Sequence, residues 1–387
     1  MPTKLNEFPN EYRGFHPEKK WTPPILDEIK DCIGRRMPCI LELPVAFDIS
    51  AIADTPVQVE VQLDGKFGHG KKVTKQFAEF ISQDEGSYLN TQYENETSLL
   101  GEFLSPPLTV QNTPPIWEKF PQLVPHQVNL WMGKSSNTSS GLHHDFHDNL
   151  YFLVKGRKNF TIFSPKDAQF MYLEGIVKIV HRNGMIEYVE EGAYGRIRDD
   201  GAYLHDAAEY NVAHFQEQLD AAEARGDTEA ACLLEEQLDY RMADLSELQE
   251  ESLIEVGEIE DDSENDQAES DDDFGIDTEG SRKKVKIEDC QPASFSKATL
   301  DSPNFPLLQK GTRIDFELKE GQCLYLPCGW FHNVTSFPQD HGHHVALNLW
   351  TIPPQFSDSP RVFYADDFWR DTRWKPIQEL LMVAKQV

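Results

Sequence analysis

Two histidines and one aspartate have the residue types that can hold one face of a metal ion. His143 and Asp145 stand two positions apart, and His332 follows much later in the chain. Two imidazoles and one carboxylate bind one face of Fe(II) and leave the other coordination positions open for a co-substrate and O2. A His-x-Asp pair recurs by chance, so the segments around the three residues decide whether they form a site.

The setting of the three residues favours a β-barrel. On a strand, residues i and i+2 point to the same side, so His143 and Asp145 would converge while His144 faces away. His332 follows an apolar run at 323–326 and a Pro-Cys-Gly turn. A chain that turns at the mouth of a barrel would deliver His332 to the same place.

An iron ion held in this way needs a reductant that also chelates it, and a 2-oxo acid does both through its carboxylate and keto oxygens. The distal carboxylate of that acid needs a buried cation, because an unpaired buried charge is costly. Lys158 is the candidate, on the second strand of a hairpin predicted over 151–163 with its turn at Gly156. Lys155, on the first strand, is the alternative. The side chains that could add a hydroxyl or amide donors to the pocket are Ser140, Asn149 and Asn348.

The net charge of the chain indicates which classes of molecule it could bind. The chain has 387 residues and a formal net charge of −30. Sixteen of the 66 Asp and Glu residues lie between Glu247 and Glu279, where no Lys or Arg occurs. This balance argues against binding to nucleic acid or to an anionic membrane and favours a basic segment of a protein substrate. A tract that only aids solubility is the alternative.

Cysteine usage and hydropathy indicate the compartment. The six Cys residues form no C-x-x-C pair and no spacing typical of a disulfide framework. No apolar run reaches the roughly 18 residues that a membrane-spanning helix needs. We therefore expect a cytoplasmic or nuclear protein without a membrane segment.

Hydrophobic periodicity predicts a mainly β fold with flanking helices and a large insertion. Several short strands separated by turns fit a small barrel or a double-sheet roll. The C-terminal helices could cover this barrel or form a homodimer. The predicted regions are an α/β flank at 1–110, a β core at 111–170 and 300–355, a helical hairpin at 200–250, an acidic disordered segment at 251–298, and helices at 356–387.

Together these residues resemble a known family. The pattern is Ser140-x-x-His143-x-Asp145 with Asn149, Lys158, His332 and Asn348. It resembles the JmjC group of Fe(II)/2-oxoglutarate oxygenases, a cupin-like double-stranded β-helix, over roughly 20–165 and 305–355. Within that group the likeness is to the small hydroxylases, of the factor-inhibiting-HIF type and the type that acts on a lysine of developmentally regulated GTP-binding proteins.

The resemblance implies Fe(II), 2-oxoglutarate and O2 as cofactor and co-substrates, and hydroxylation of a protein side chain. Two departures bear on the substrate. Ser140 stands where Thr is usual, which keeps the hydroxyl, and the long insertion between the β segments is not part of the small-hydroxylase pattern. The alternatives are a lysine demethylase, a tRNA-base hydroxylase and an iron-free binding scaffold. The sequence has no chromatin-reading module, and this favours the hydroxylase.

Overall fold

The computed structural model describes residues 7–44, 54, 56–61, 71–82, 86–90, 120–189, 196–260, 292–338, 342–358 and 362–384. The chain divides into two compact units. The first unit contains residues 1–192, 199–201 and 293–387, and the second contains residues 193–198 and 202–292.

The first unit contains the described strands and three α-helices, together with two 3-10 helices (Pro165–Phe170 and Pro306–Lys310) and a short π-helix (Arg370–Trp374). The α-helices of this unit are α1 (Lys30–Arg35), α2 (Phe77–Ser82) and α5 (Lys375–Ala384), and those of the second unit are α3 (Leu204–Arg225) and α4 (Thr228–Glu260). The strands are β1 (Cys39–Glu42), β2 (Pro56–Val61), β3 (Lys71–Gln76), β4 (Ser87–Asn90), β5 (Pro125–Gly133), β6 (Thr138–Ser139), β7 (Asp148–Lys155), β8 (Arg157–Phe163), β9 (Val177–Val180), β10 (Ile186–Tyr188), β11 (Ile314–Lys319), β12 (Gln322–Leu326), β13 (Phe331–Phe337) and β14 (His344–Thr351).

Two antiparallel sheets form the centre of the first unit. The major sheet has the order β1-β12-β7-β14-β5-β4-β2-β3, and the minor sheet has the order β11-β8-β13-β6. Tyr151 and Leu324 of the major sheet share one buried cluster with Phe160 and Ile162 of the minor sheet. The inner faces of the two sheets therefore pack against each other, as in a jelly roll. The predicted fold class, mainly β with flanking helices and a double-stranded β-helix, is confirmed.

The predicted hairpin over 151–163 is wrong. β7 pairs with β12 and β14 in the major sheet, whereas β8 pairs with β11 and β13 in the minor sheet. Gly156, between them, has φ +91°, and a Cβ there would lie 2.7 Å from the carbonyl oxygen of Phe337. The chain thus crosses from one sheet to the other at a position that only glycine can occupy. An alternating pattern shows that two strands are adjacent in sequence but not that they pair.

Helices cover the outer face of the major sheet. Ile33 of α1 and Phe80 of α2 lie in a second buried core with Leu150 and Leu347 of the sheet. Ile377 of α5 joins the same core, so this helix packs on its own barrel. A homodimer through the C-terminal helices stays a prediction.

The second unit contains a pair of packed helices, α3 and α4. Gly226, with φ +69°, ends α3, and α4 begins two residues later. α4 continues to Glu260, so the acidic segment predicted from residue 251 begins inside a helix. Glu and Leu, common in that stretch, are good helix formers. Residues 261–291 of that segment lie outside the described residues.

Among the described residues, no helix combines the length and the apolar character that crossing a bilayer requires.

Candidate metal centre

His143, Asp145 and His332 lie together, the first two just before β7 and the third near the start of β13. One ligand atom from each lies within 4.8 Å of the others. Nε2 of His143 is 4.0 Å from Oδ1 of Asp145, and Nε2 of His332 is 3.7 Å from Oδ2. The two imidazole ring centroids are 4.2 Å apart. The residues that the sequence singled out thus converge in space.

Backbone hydrogen bonds fix the segment that carries His143 and Asp145. The N–H of His143 donates to the carbonyl of His332 at 3.1 Å, and the N–H of His332 donates back at 2.7 Å. His143 forms two isolated bridges, to Phe295 and to His332, and the residues that follow it up to the start of β7 are irregular. The expected strand is therefore absent at 144–147. His144 nevertheless turns away from the centre, where its Nε2 lies 2.7 Å from the hydroxyl of Tyr188.

The tautomers of both imidazoles suit a metal. Nδ1 of His143 lies 3.1 Å from the carbonyl oxygen of Gly141, and Nδ1 of His332 lies 3.0 Å from that of Trp330. A carbonyl only accepts hydrogen bonds, so each Nδ1 carries the proton and each Nε2 presents a lone pair. Burial, and then the neighbouring His332, lowers the pKa of His143 to about 3. Two neutral nitrogens and one carboxylate are the donor set that fits Fe(II).

Phe295 is a site residue that the sequence reasoning missed. Its ring stacks on His143 with centroids 4.8 Å apart and planes 11° from parallel. On either side of it, Ser294 accepts a hydrogen bond from the N–H of His144 at 3.2 Å, and Ser296 donates to the carbonyl of Leu142 at 2.8 Å. The prediction that residues up to 298 are disordered is therefore wrong for 292–298. The acidic segment ends at Asp289, and the next Asp or Glu is Asp301; this change in composition was the available signal.

Lys158 lies inside the barrel on β8. It is 1% exposed, and its Nζ lies 2.5 Å from Oγ of Ser336 and 3.3 Å from Nδ1 of His344. Burial lowers the pKa of Lys158 to about 7. Lys155, the alternative cation, is exposed at the end of β7. The structure therefore favours Lys158 as the residue that would hold a carboxylate.

The three other predicted contacts have different surroundings. Asn149 donates from Nδ2 to Oδ2 of Asp145 at 3.2 Å and so orients a candidate metal ligand. Asn348 is 2% exposed and lies opposite Asn129 on the neighbouring strand. The hydroxyl of Ser140 donates to the carbonyl of Gly141 at 2.9 Å and accepts from the N–H of Val334 at 3.0 Å. Ser140 thus ties the ligand segment to β13, and its contact with a co-substrate stays a prediction.

Several buried polar atoms near Lys158 and the triad have no hydrogen-bond partner within the described residues. Buried polar groups in proteins are almost always hydrogen-bonded, so a group of such atoms indicates a polar ligand or water. When bound, the oxygens of a dicarboxylic 2-oxo acid such as 2-oxoglutarate would accept hydrogen bonds from the three N–H donors of this group, whereas the two amide oxygens of the group need a donor such as water. The atoms are Nδ2 of Asn129, Oδ1 of Asn149, Nε2 of His344, Oδ1 of Asn348 and Nε1 of Trp350.

The chain matches one family model and is similar to several named proteins. Residues 50–353 match the model of the cupin-like domain. The JmjC domain-containing protein 4 of Schizosaccharomyces pombe is 30% identical over 94% of this chain and 92% of its own length. The lysine-specific demethylase JMJ32 of Arabidopsis thaliana is 23% identical over 58% of this chain and 41% of its own. The human bifunctional peptidase and (3S)-lysyl hydroxylase JMJD7 is 32% identical over 18% of this chain and 21% of its own.

Proposed function

The chain belongs to the cupin-like JmjC family, and from this premise we propose that it is an Fe(II)- and 2-oxoglutarate-dependent oxygenase that hydroxylates a protein side chain. The observation that carries the proposal is the convergence of the two Nε2 lone pairs and the Asp145 carboxylate. The buried amine of Lys158, inside the same barrel, supports 2-oxoglutarate as the co-substrate.

In this proposal, His143, Asp145 and His332 hold Fe(II), and Lys158 holds the distal carboxylate of 2-oxoglutarate. When bound, the metal and the 2-oxo acid supply the means to activate O2, with release of succinate and CO2 and insertion of one oxygen atom into a substrate C–H bond. Asn149 orients Asp145 through its Nδ2 hydrogen bond. Phe295 covers one face of His143 and limits the access of water to that ligand.

We propose a basic segment of a protein as the substrate. The net charge of −30 would attract such a segment over a long range and speed its encounter at low salt. The free cysteines in the described chain are in keeping with a reducing compartment, and we propose a cytoplasmic or nuclear location.

Similarity to a named (3S)-lysyl hydroxylase supports hydroxylation. Similarity to a named lysine-specific demethylase over a longer stretch favours lysine demethylation as the second candidate. Both reactions begin with oxidation of a C–H bond, and an oxidised N-methyl group is then lost as formaldehyde. The metal and co-substrate residues are therefore the same, and only the position of the substrate differs.

The test compares two substrates with one enzyme preparation. The full chain is incubated with Fe(II), 2-oxoglutarate and either a trimethyl-lysine histone peptide or an unmethylated protein fraction. We expect succinate and the gain of one oxygen atom in the second sample, by mass spectrometry, and no formaldehyde from the first. The His143→Ala/Asp145→Ala double variant is the control and should give neither product. Formaldehyde from the peptide, with no oxygen added to the protein fraction, would replace the hydroxylase by the demethylase.

A further inference from the structure

A fully buried ion pair lies beside the segments that carry two of the candidate metal ligands. The side chains of Arg36 and Asp148 are 1% and 0% exposed. Nη1 of Arg36 donates to Oδ2 of Asp148 at 2.8 Å, and Nη2 donates to Oδ1 at 2.5 Å. Such a two-point pairing fixes orientation as well as distance.

The remaining hydrogen-bonding capacity of the pair is also used. The carboxylate of Asp148 accepts from the hydroxyl of Tyr325 at 2.6 Å and from the N–H of Cys328 at 2.9 Å. Nε of Arg36 donates to the carbonyl of Asn183 at 2.9 Å. A buried ion pair satisfied on all sides adds little stability over apolar side chains of the same size, but it can fix one arrangement of the segments around it.

The segments that the pair connects are those of the triad. Asp148 begins β7, three residues after Asp145, and Cys328 lies in the turn four residues before His332. In that same turn, the N–H of Gly329 donates to the backbone carbonyl of Asp145 at 3.0 Å. One carboxylate therefore holds the start of β7 and, through the turn, the backbone of a candidate ligand.

Arg36 is tied to this turn by its backbone as well. Its carbonyl accepts a hydrogen bond from Nε1 of Trp330 at 3.1 Å, and Trp330 supplies the carbonyl that fixes the tautomer of His332. Arg36 has φ +54°, in the left-handed region that L residues rarely adopt. This conformation ends α1, because Arg36 is the C-cap residue and its N–H donates to the carbonyl of Ile33 at 3.1 Å, and the cap holds the guanidinium at a fixed place beside the turn.

We propose that Arg36 and Asp148 are positioning residues for the metal centre, which set the separation of Asp145 and His332 by holding the start of β7 against the turn at 327–329. The inference rests on the proposed function, because it takes Asp145 and His332 as metal ligands. Replacing a residue that orients a metal ligand without binding the metal typically lowers metal affinity by about 10–100-fold.

The experiment measures Mn(II) binding to the full chain by electron paramagnetic resonance, together with the melting temperature. The Arg36→Met/Asp148→Leu double variant replaces the pair by apolar side chains of similar size. We expect it to fold and to bind Mn(II) about tenfold more weakly than the parent or worse. The matched control is Val59→Ala on β2. Val59 is 0% exposed and lies in the second buried core, between the helices and the outer face of the major sheet. This control should lower the melting temperature and leave Mn(II) affinity unchanged.

The outcomes separate the inference from the proposed function. A parent protein that does not bind Mn(II) would overturn the proposed function and the inference with it. A parent that binds, with an equal affinity in the double variant, would overturn the inference alone. The same holds if Val59→Ala weakens Mn(II) binding as much as the double variant does at a comparable melting temperature. If the double variant does not fold, Arg36→Lys and Asp148→Asn take its place, and unchanged Mn(II) affinity in both would overturn the inference.

Discussion

Replacing Lys158 by Met should stabilise the protein at low pH and weaken its binding of 2-oxoglutarate. The amine is 1% exposed, and burial lowers its pKa from the usual 10.5 to about 7. A pKa difference of 3.5 between the unfolded and folded chain, at about 1.4 kcal/mol per unit, makes the buried charge cost about 5 kcal/mol below pH 7. Methionine has a similar length and carries no charge, so this cost disappears in the variant.

The effect of Lys158→Met on the free energy of unfolding depends on pH. Between pH 7 and pH 10.5 the unfolded chain holds the Lys158 proton and the folded chain does not, so the parent gains stability as pH rises through this window. Met also leaves Ser336 and His344 without their hydrogen bonds to Nζ, at about 1–3 kcal/mol in total. The variant should therefore be about 2–4 kcal/mol more stable than the parent near pH 6 and no more stable than the parent near pH 10.

Urea unfolding of metal-free parent and Lys158→Met, at several pH values over that range, measures the difference in free energy of unfolding. Titration with 2-oxoglutarate in the presence of Mn(II) measures binding, where a lost contact worth about 1.5–3 kcal/mol corresponds to a decrease of at least tenfold in affinity. Lys155→Met is the matched control and should change neither quantity, because Lys155 is exposed. The reasoning fails if the stability difference does not change with pH, or if only the Lys155 variant loses 2-oxoglutarate binding.

Three further predictions concern the same site. The parent should bind one Fe(II) per chain, and His143→Ala/Asp145→Ala should bind none; equal iron content in both proteins, by elemental analysis, would show that the ligands are other residues. The affinity of the parent for 2-oxoglutarate should fall as pH rises above about 7, because the folded chain then loses the Lys158 proton. The groups that face Nζ are Ser336 and His344, and they supply no positive charge in its place. Calorimetric titration at pH 6.5 and pH 9 measures this affinity, and an affinity that does not change with pH would exclude Lys158 as the residue that holds the carboxylate. Phe295→Ala should weaken Mn(II) binding, because it exposes one face of His143. Deletion of residues 261–291, a stretch poor in apolar residues, should leave Mn(II) binding unchanged. If the deletion weakens Mn(II) binding and Phe295→Ala does not, the acidic segment and not Phe295 supports the metal site.

The alternation of apolar residues was enough to predict several of the strands but not how they pair. β7 and β8 were both predicted as strands, and yet they belong to different sheets because Gly156 turns the chain across the barrel. The predicted strand for His143 and Asp145 is an irregular segment, and the two side chains converge all the same. A local pattern records which faces are apolar, whereas pairing depends on strands that lie far away in sequence.

The sequence by itself determined the chemistry that is available: two imidazoles, a carboxylate, an amine and a fold class with strands to carry them. Only the tertiary structure decided which lysine is buried, that Phe295 returns after the insertion to stack on His143, and that Arg36 reaches Asp148 across more than a hundred residues. Burial, stacking and ion pairing are properties of contacts between distant parts of the chain. They lower the pKa of Lys158 and fix the tautomers of the histidines, and no spacing of residues along the sequence expresses them.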